Sequence, residues 1–80
     1  MSTKIYVGNL PWRATDAQLT EMFAAHGEVI EARIITDRET GRSRGFGFVT
    51  MANNDGAQNA IRALNGNSLE GRALVVNEAR

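Results

Sequence analysis

The stretch that decides the fold is Arg44-Gly45-Phe46-Gly47-Phe48-Val49-Thr50-Met51. Side chains of a β-strand point alternately to its two faces, so this segment places Phe46 and Phe48 on one face and Val49 and Met51 on the other. The second pair suits a buried core. Two phenylalanines beside an arginine on the opposite face predict a surface on which unpaired nucleic-acid bases stack.

The composition predicts a single small domain spanning residues 1–80, with 42% hydrophobic and 22% charged residues. The absence of cysteine excludes disulfides and thiolate metal sites, and it fits a reducing compartment. The chain starts without a signal-peptide apolar run, and no window approaches the roughly 20 apolar residues of a membrane span. We therefore expect a cytoplasmic location and no membrane partner.

The overall charge argues against nucleic-acid binding, since nine basic and nine acidic residues give a net charge of zero. Domains that bind nucleic acids are commonly basic. However, eight of the nine basic residues are arginines, and Arg38, Arg42 and Arg44 fall within seven positions. The positive charge is therefore concentrated locally although the chain as a whole is neutral. Arginine also suits nucleic acids, because it stacks on bases and binds phosphate through two donors.

Four segments have the β-branched residues and period-two alternation of strands. They are residues 4–10, 29–36, 44–51 and 72–78. Polar residues 37–43 lie between the second and third segments, with Gly41 near their centre, and predict a hairpin turn.

Two further segments have helical spacing. The first opens with a capping box, Thr15 with Gln18 three residues later, and is predicted to end at Gly27. The second begins at one of three candidate caps and is predicted to end at Asn65-Gly66. The candidate caps are Asn53, Asn54 and Asp55. The apolar stripes are Leu19, Met22, Phe23 and His26 in the first helix, and Ala57, Ala60, Ile61 and Leu64 in the second.

The order β-α-β-β-α-β predicts an α+β fold, the ferredoxin-like split βαβ sandwich. In this fold both helices cover one face of a four-stranded antiparallel sheet. The predicted inward residues are Ile5, Val7, Ala32, Ile34, Val49, Met51, Leu74 and Val76. The predicted outward residues are Lys4, Tyr6, Arg33, Ile35, Arg44, Phe46, Phe48, Val75 and Asn77. The first and third strands are neighbours, so Tyr6, Phe46 and Phe48 should form one surface, named here the aromatic platform.

At these residues the chain resembles the RNA recognition motif family. Residues 44–51 match the family octamer at every position but the last, and Ile5-Tyr6-Val7-Gly8-Asn9-Leu10 resembles its companion hexamer. The departure, Met51, is on the inward face and affects packing rather than stacking. The chain is similar to small single-domain RNA-binding proteins of bacteria and to the folded part of plant glycine-rich RNA-binding proteins.

The resemblance implies a role for each residue of the site. Tyr6 and Phe48 would each stack under a base, Phe46 would contact the sugars between them, and Arg44 would pair with a phosphate. Residues 77–80 would read base edges where the chain leaves the sheet. The predicted RNA-binding residues are Lys4, Tyr6, Asn9, Arg33, Arg38, Arg42, Arg44, Phe46, Phe48, Asn77, Glu78 and Arg80.

Several residues have an alternative structural role. We expect Trp12 to cover the end of the core rather than to contact RNA, and His26 to be a core or boundary residue rather than a metal ligand. Gly45 and Gly47 are expected to leave room for the helices beneath the sheet.

Other polar residues have two open interpretations. Asn9 is expected to bond a loop backbone as readily as a base. Arg38 and Arg42 either contact phosphate or belong to a solvated turn in which Asp37 and Glu39 balance their charge.

The function predicted is sequence-tolerant binding of single-stranded RNA by a monomer, and the sequence leaves open whether single-stranded DNA also binds. The resemblance also allows a helper role in RNA remodelling. We expect no metal and no other cofactor, and no enzymatic activity, because the chain has no nucleophile–base pair, metal-ligand cluster or paired carboxylates at useful spacing. Two alternatives are a protein-interaction module of the same fold, using outward Ile35 and Val75, and an all-β cold-shock domain, which the helical stripes disfavour.

Overall fold

The structure, a computed structural model, describes residues 3–79. Its elements are β1 (Lys4–Gly8), α1 (Asp16–Ala24), β2 (Val29–Thr36), β3 (Ser43–Met51), α2 (Asn54–Leu64), β4 (Ser68–Leu69), β5 (Arg72–Ala73) and β6 (Val75–Glu78). Four strands form an antiparallel sheet in the order β2-β3-β1-β6, and β4 and β5 form a separate two-stranded hairpin. The predicted ferredoxin-like α+β fold is confirmed, and the two helices exclude the all-β alternative.

The core lies between one face of the sheet and the two helices. All the predicted inward residues are buried except Ala32, which is partly buried and packs against the core. The first helix contributes Leu19 and Phe23 to this layer, and the second contributes Ala57, Ala60 and Leu64. Both helices therefore bury their apolar stripes against the same face and leave the other face of the sheet uncovered.

Both helices begin where side-chain caps satisfy their first backbone N–H groups. The Thr15 hydroxyl accepts a hydrogen bond from the Gln18 N–H at 3.1 Å, and the Gln18 side chain accepts one from the Thr15 N–H at 3.0 Å. The predicted capping box is thus confirmed. Asn53 is the cap of the second helix, since its Oδ1 accepts from the Gly56 N–H at 2.8 Å.

The predicted end of the first helix at Gly27 is wrong. The helix ends at Ala24 with Ala25 as its C-cap, so partly buried His26 lies beyond the helix, at the boundary of the core. The backbone of Gly27 does not have the positive φ of a helix-ending glycine. Its small size matters instead, because a Cβ there would lie 3.1 Å from the Cα of Gly56 at the start of α2.

The expected role of Gly45 and Gly47 in making room for the helices is also wrong. Gly45 has a φ of 85°, which favours glycine because it has no Cβ. A Cβ on Gly47 would lie 2.5 Å from the carbonyl oxygen of Arg33 in the neighbouring strand β2. Gly47 therefore allows the close approach of β2, and Gly45 allows a backbone conformation within β3, so neither glycine makes room for a helix.

Two predicted strands are longer than the strands observed. The first ends at Gly8 rather than at residue 10, because Asn9 adopts a φ of 59°. The last is divided, since residues 72 and 73 pair with β4 across the turn Glu70-Gly71, whose φ values are 50° and 83°. Positive φ at both turn residues is typical of a two-residue hairpin turn. Buried Leu74 joins this hairpin to β6.

Both outer strands of the sheet have a backbone N–H that bonds to a side chain. On β2 the N–H of Ile34 donates to Asp16 Oδ1 at 2.7 Å. On β6 the N–H of Val76 donates to Asn65 Oδ1 at 3.0 Å. In each case the acceptor lies at one end of a helix, Asp16 at the start of α1 and Asn65 just after α2.

Neither of the two helices within residues 3–79 is long and apolar enough to cross a bilayer.

Candidate nucleic-acid interface

The aromatic platform is present on the sheet face opposite the helices. The ring centroids of Tyr6, Phe46 and Phe48 are separated by 5.9 Å for Tyr6 and Phe46 and by 6.0 Å for the other two pairs. Each ring is partly buried, while the residues that alternate with them, such as Ile5 and Val49, are fully buried in the core. Three rings at this separation form one continuous apolar surface that remains accessible to a ligand.

Strand pairing sets the arrangement of the rings. Tyr6 is in register with Phe48, and Gly8 is in register with Phe46. The Tyr6 ring leans along β1 over Gly8, so that a Cβ on this glycine would lie 2.5 Å from the Tyr6 hydroxyl oxygen. Glycine at position 8 therefore leaves the space that the ring of Tyr6 occupies beside Phe46.

Basic side chains surround the platform. Lys4 Nζ lies 5.0 Å from the centroid of the Phe48 ring, within the range of a cation–π contact. Arg33 is exposed on β2 in register with Phe48, and Arg44 is exposed on β3 two residues before Phe46. Positive charges beside accessible aromatic rings suit a single-stranded nucleic acid, because its phosphates are negative and its bases have flat faces that stack on the rings.

The structure directs the side chains of Asn77 and Glu78, two of the predicted base-reading residues, to different places. Asn77 is exposed on β6 in register with Tyr6, which places it beside the platform. The side chain of Glu78 instead accepts a hydrogen bond from the side chain of Gln58 on α2, so it lies toward the helices. Its predicted side-chain contact with a base does not fit this position. Arg80 lies outside the described residues.

Asn9 fits the structural interpretation rather than contact with a base. Its Nδ2 donates to the Ala73 carbonyl at 2.8 Å, and its Oδ1 accepts from Arg72 Nη1 at 2.9 Å. This amide ties the end of β1 to the β4–β5 hairpin and holds the guanidinium of Arg72 there. The sequence did not predict the contact between Arg72 and Asn9, because the two residues are 63 positions apart in the chain.

The loop between β2 and β3, residues 37–42, is held by Asp37. The Asp37 carboxylate accepts from the N–H groups of Glu39 and Thr40 at 2.8 and 3.2 Å. Backbone hydrogen bonds from the N–H of Asp37 to the Arg42 carbonyl and from the N–H of Gly41 to the Asp37 carbonyl close the loop. Asp37 therefore stabilises the backbone of this loop, and Arg38 and Arg42 are exposed on it.

The expectation that Trp12 covers the end of the core is wrong. Its side chain is 67% exposed, whereas Pro11 and Ala14 on either side are buried. The guanidinium carbon of Arg42 lies 6.0 Å from the centroid of the Trp12 ring. Hydrophobic spacing could not reveal this exposure, because it depends on the turn in which the tryptophan lies.

Within residues 3–79 no three His, Asp or Glu side chains come together in a way that could hold a metal ion.

The comparison with known families agrees with this geometry. The model of the RNA recognition motif family matches residues 5–75. The chain belongs to this family. Its relatives include the chloroplastic 28 kDa ribonucleoprotein of Spinacia oleracea, which is 54% identical over 98% of this chain and 34% of the relative. Another is the mitochondrial glycine-rich RNA-binding protein 4 of Arabidopsis thaliana, 52% identical over 99% of this chain and 58% of the relative. The chain thus spans about a third to three fifths of these two relatives.

Solved structures share the fold closely. The crystal structure of RNA binding protein PG1 has a TM-score of 0.94 and 51% identity, covering 98% of this chain and 94% of that one. The Sex-lethal protein/RNA complex has a TM-score of 0.95 and 36% identity, covering 100% of this chain and 48% of that one. Identities of 51% and 36% indicate a relationship that goes beyond a shared fold.

Proposed function

We propose that this domain binds single-stranded RNA by stacking two or three bases on the aromatic platform. The observation that carries the proposal is the cluster of three rings, 5.9–6.0 Å apart, on the uncovered face of the sheet. Members of this fold stack two or three bases on such a sheet. The Sex-lethal structure, which shares this fold, is named as a protein/RNA complex, and this supports RNA as the ligand of the domain.

Each ring is assigned one contact. Tyr6 and Phe48, which are in register on adjacent strands, would lie under neighbouring bases. Phe46, at 6.0 Å from Phe48 and nearly perpendicular to it, would contact the sugars between them. Asn77 beside Tyr6 offers an amide that can donate to and accept from a base edge.

The phosphates would be neutralised by the exposed basic residues around the rings. Arg44 is the main contact, because a guanidinium binds phosphate through two parallel hydrogen bonds. Lys4 and Arg33 flank Phe48. Arg38 and Arg42, on the ordered loop between β2 and β3, provide further positive charge at one end of the sheet.

We infer weak binding, with a Kd on the order of micromolar. Each stacked base contributes about 1–3 kcal/mol, and much of this is offset by the cost of association and of ordering the RNA. Stacking has little base specificity, so single-stranded DNA is a further ligand. A helper role in remodelling RNA would follow from such weak and sequence-tolerant contacts.

For the compartment and the assembly state we propose a monomer in the cytoplasm. The absence of cysteine suits a reducing environment. Relatives of this chain are named as chloroplastic and mitochondrial, so fractionation of the source cells must include the organelles. Recovery of the protein in an organelle fraction alone would replace the cytoplasmic assignment.

The test of the proposed function is the double variant Phe46→Ala/Phe48→Ala. It should lose RNA binding, measured by fluorescence anisotropy with a randomised single-stranded RNA, because two of the three stacking surfaces are removed. The far-ultraviolet circular dichroism spectrum should remain native, since both rings lie outside the core.

The matched control is Ile30→Ala, which removes an apolar side chain that is 65% exposed and not part of the platform. This variant should bind RNA as the wild type does. RNA binding by the double variant equal to that of the wild type would disprove the platform. Wild-type protein whose Tyr6 and Phe48 NMR signals do not shift with RNA would favour the protein-interaction module instead.

A further inference from the structure

The second accessible aromatic site on the molecule is Trp12, which lies outside the platform. Tryptophan is usually highly buried, yet this side chain is 67% exposed. It occupies a tight turn closed by a hydrogen bond from the Ala14 N–H to the Pro11 carbonyl at 3.0 Å. Pro11 and Ala14 are both buried, so the core anchors the two ends of the turn and presents the ring between them to solvent.

Arg42 approaches the same ring from another part of the chain. Its guanidinium carbon lies 6.0 Å from the Trp12 centroid, at the outer limit of a cation–π contact. The loop that carries Arg42 is fixed by the carboxylate of Asp37, which accepts two backbone N–H groups. Both parts of this site are therefore ordered before a ligand arrives, which lowers the entropic cost of binding.

A cleft of about 510 Å³ adjoins the indole. This volume falls in the range of small-ligand sites and leaves room beside Trp12 for a flat ring. Its walls come from the Trp12 turn, from Arg33 and Thr36 on β2, and from Gly41 in the following loop. Asp16 also borders the cleft, with one carboxylate oxygen engaged by the N–H of Ile34.

Arg33 lies between the cleft and the platform. This arginine lines the cleft and is also in register with Phe48. A strand of RNA that leaves the platform along β2 and β3 therefore meets a basic residue first and an exposed indole next. The combination of an aromatic face with adjacent arginines is the chemistry that recognises unpaired nucleotides.

We propose that Trp12 and Arg42 form a separate stacking position for one further base of the RNA strand that occupies the platform. The base stacks on the exposed indole, and the guanidinium of Arg42 contacts an adjacent phosphate. This inference rests on the proposed function and extends the binding surface beyond the sheet to the turn before α1.

The test compares two randomised single-stranded RNAs, one of about three nucleotides, which the platform alone accommodates, and one of about eight nucleotides. The variant Trp12→Ala should bind the shorter RNA as the wild type does. It should bind the longer RNA at least about fivefold more weakly, the low end of the loss expected for one stacked base. Trp12→Phe keeps an aromatic face and should recover most of this loss.

Arg42→Ala should weaken binding of the longer RNA more than binding of the shorter RNA, because only the longer RNA reaches Trp12. Its matched control is Arg62→Ala, which removes an exposed arginine from α2 on the opposite side of the sheet and should leave both affinities unchanged. The chain contains a single tryptophan, so its fluorescence reports this position directly. The longer RNA should quench it, and the shorter RNA should not.

Two results would overturn the inference while leaving the proposed function intact. They are wild-type affinity of Trp12→Ala for the longer RNA and unchanged tryptophan fluorescence when the wild type is saturated with that RNA. Failure of the wild type to bind either RNA is a different outcome, since it would remove the proposed function and this inference together.

Discussion

At the scale of single residues, the absence of a side chain at Gly8 in the first strand determines where the Tyr6 ring can lie. A Cβ at this position would meet the hydroxyl, Cε2 and Cζ atoms of Tyr6 at 2.5–2.9 Å. These atoms belong to the far end of a side chain that can rotate. We therefore expect Gly8→Ala to displace the Tyr6 ring while the fold remains intact.

This variant should lose RNA affinity by about 1–3 kcal/mol, the contribution of one stacked base. Its free energy of unfolding in urea should change by less than about 1 kcal/mol, because the partly buried ring lies outside the core and can move without opening it. A useful comparison is Gly47→Ala, whose Cβ would meet the backbone of Arg33 and should destabilise the domain by about 1–3 kcal/mol. Gly8→Ala with full RNA affinity would contradict the role assigned to this glycine.

The positions of the platform residues could be predicted from the sequence, whereas those of several polar residues could not. Phe46 and Phe48 followed from strand alternation, a property of neighbouring residues. Asn9 and Glu78 are held by residues distant in the chain, Ala73 and Gln58 respectively. Their side chains engage partners that only the folded chain brings near, so no local pattern could assign them.

At the scale of elements, the capping box at the start of α1 makes a measurable contribution to the stability of the domain. Thr15→Ala removes the acceptor of the Gln18 N–H at 3.1 Å, and we expect a loss of about 1 kcal/mol in the free energy of unfolding. Thr15→Ser keeps the hydroxyl and is the matched control. Equal stability of Thr15→Ala and the wild type in urea denaturation would show that the cap contributes nothing.

The helices and the sheet could be predicted because each has several residues of regular spacing. The β4–β5 hairpin could not, since strands of two residues have no periodicity to detect. Its turn contains Glu70 at a φ of 50°, and glutamate is not a residue that signals such a turn. The end of α1 was misplaced for a related reason, because Gly27 serves close packing against Gly56 rather than helix termination.

At the scale of the whole molecule, the number of basic residues that reach phosphates sets the salt dependence of binding, even though the net charge of the chain is zero. Few phosphates can be neutralised by the basic residues around the platform, and each contributes about −0.7 to the slope of log K against log salt for a single strand. We expect a slope of about −2 in anisotropy titrations across a series of salt concentrations. Arg44→Ala should make the slope shallower by about 0.7, whereas Arg62→Ala should not change it.

A slope steeper than about −4 would contradict this prediction, because it would require more phosphate contacts than the platform and its neighbouring arginines provide.

The side chains of Asp16 and Asn65, which accept hydrogen bonds from Ile34 and Val76, have a consequence for how copies of the domain behave together. Exposed sheet edges are templates on which another chain can add a strand, and they promote aggregation. Here each edge has a donor that is already occupied, and an incoming backbone would have to displace a helix-end side chain to pair with it. Neighbouring copies crowded along one transcript are therefore expected to stay discrete rather than to merge into a shared sheet.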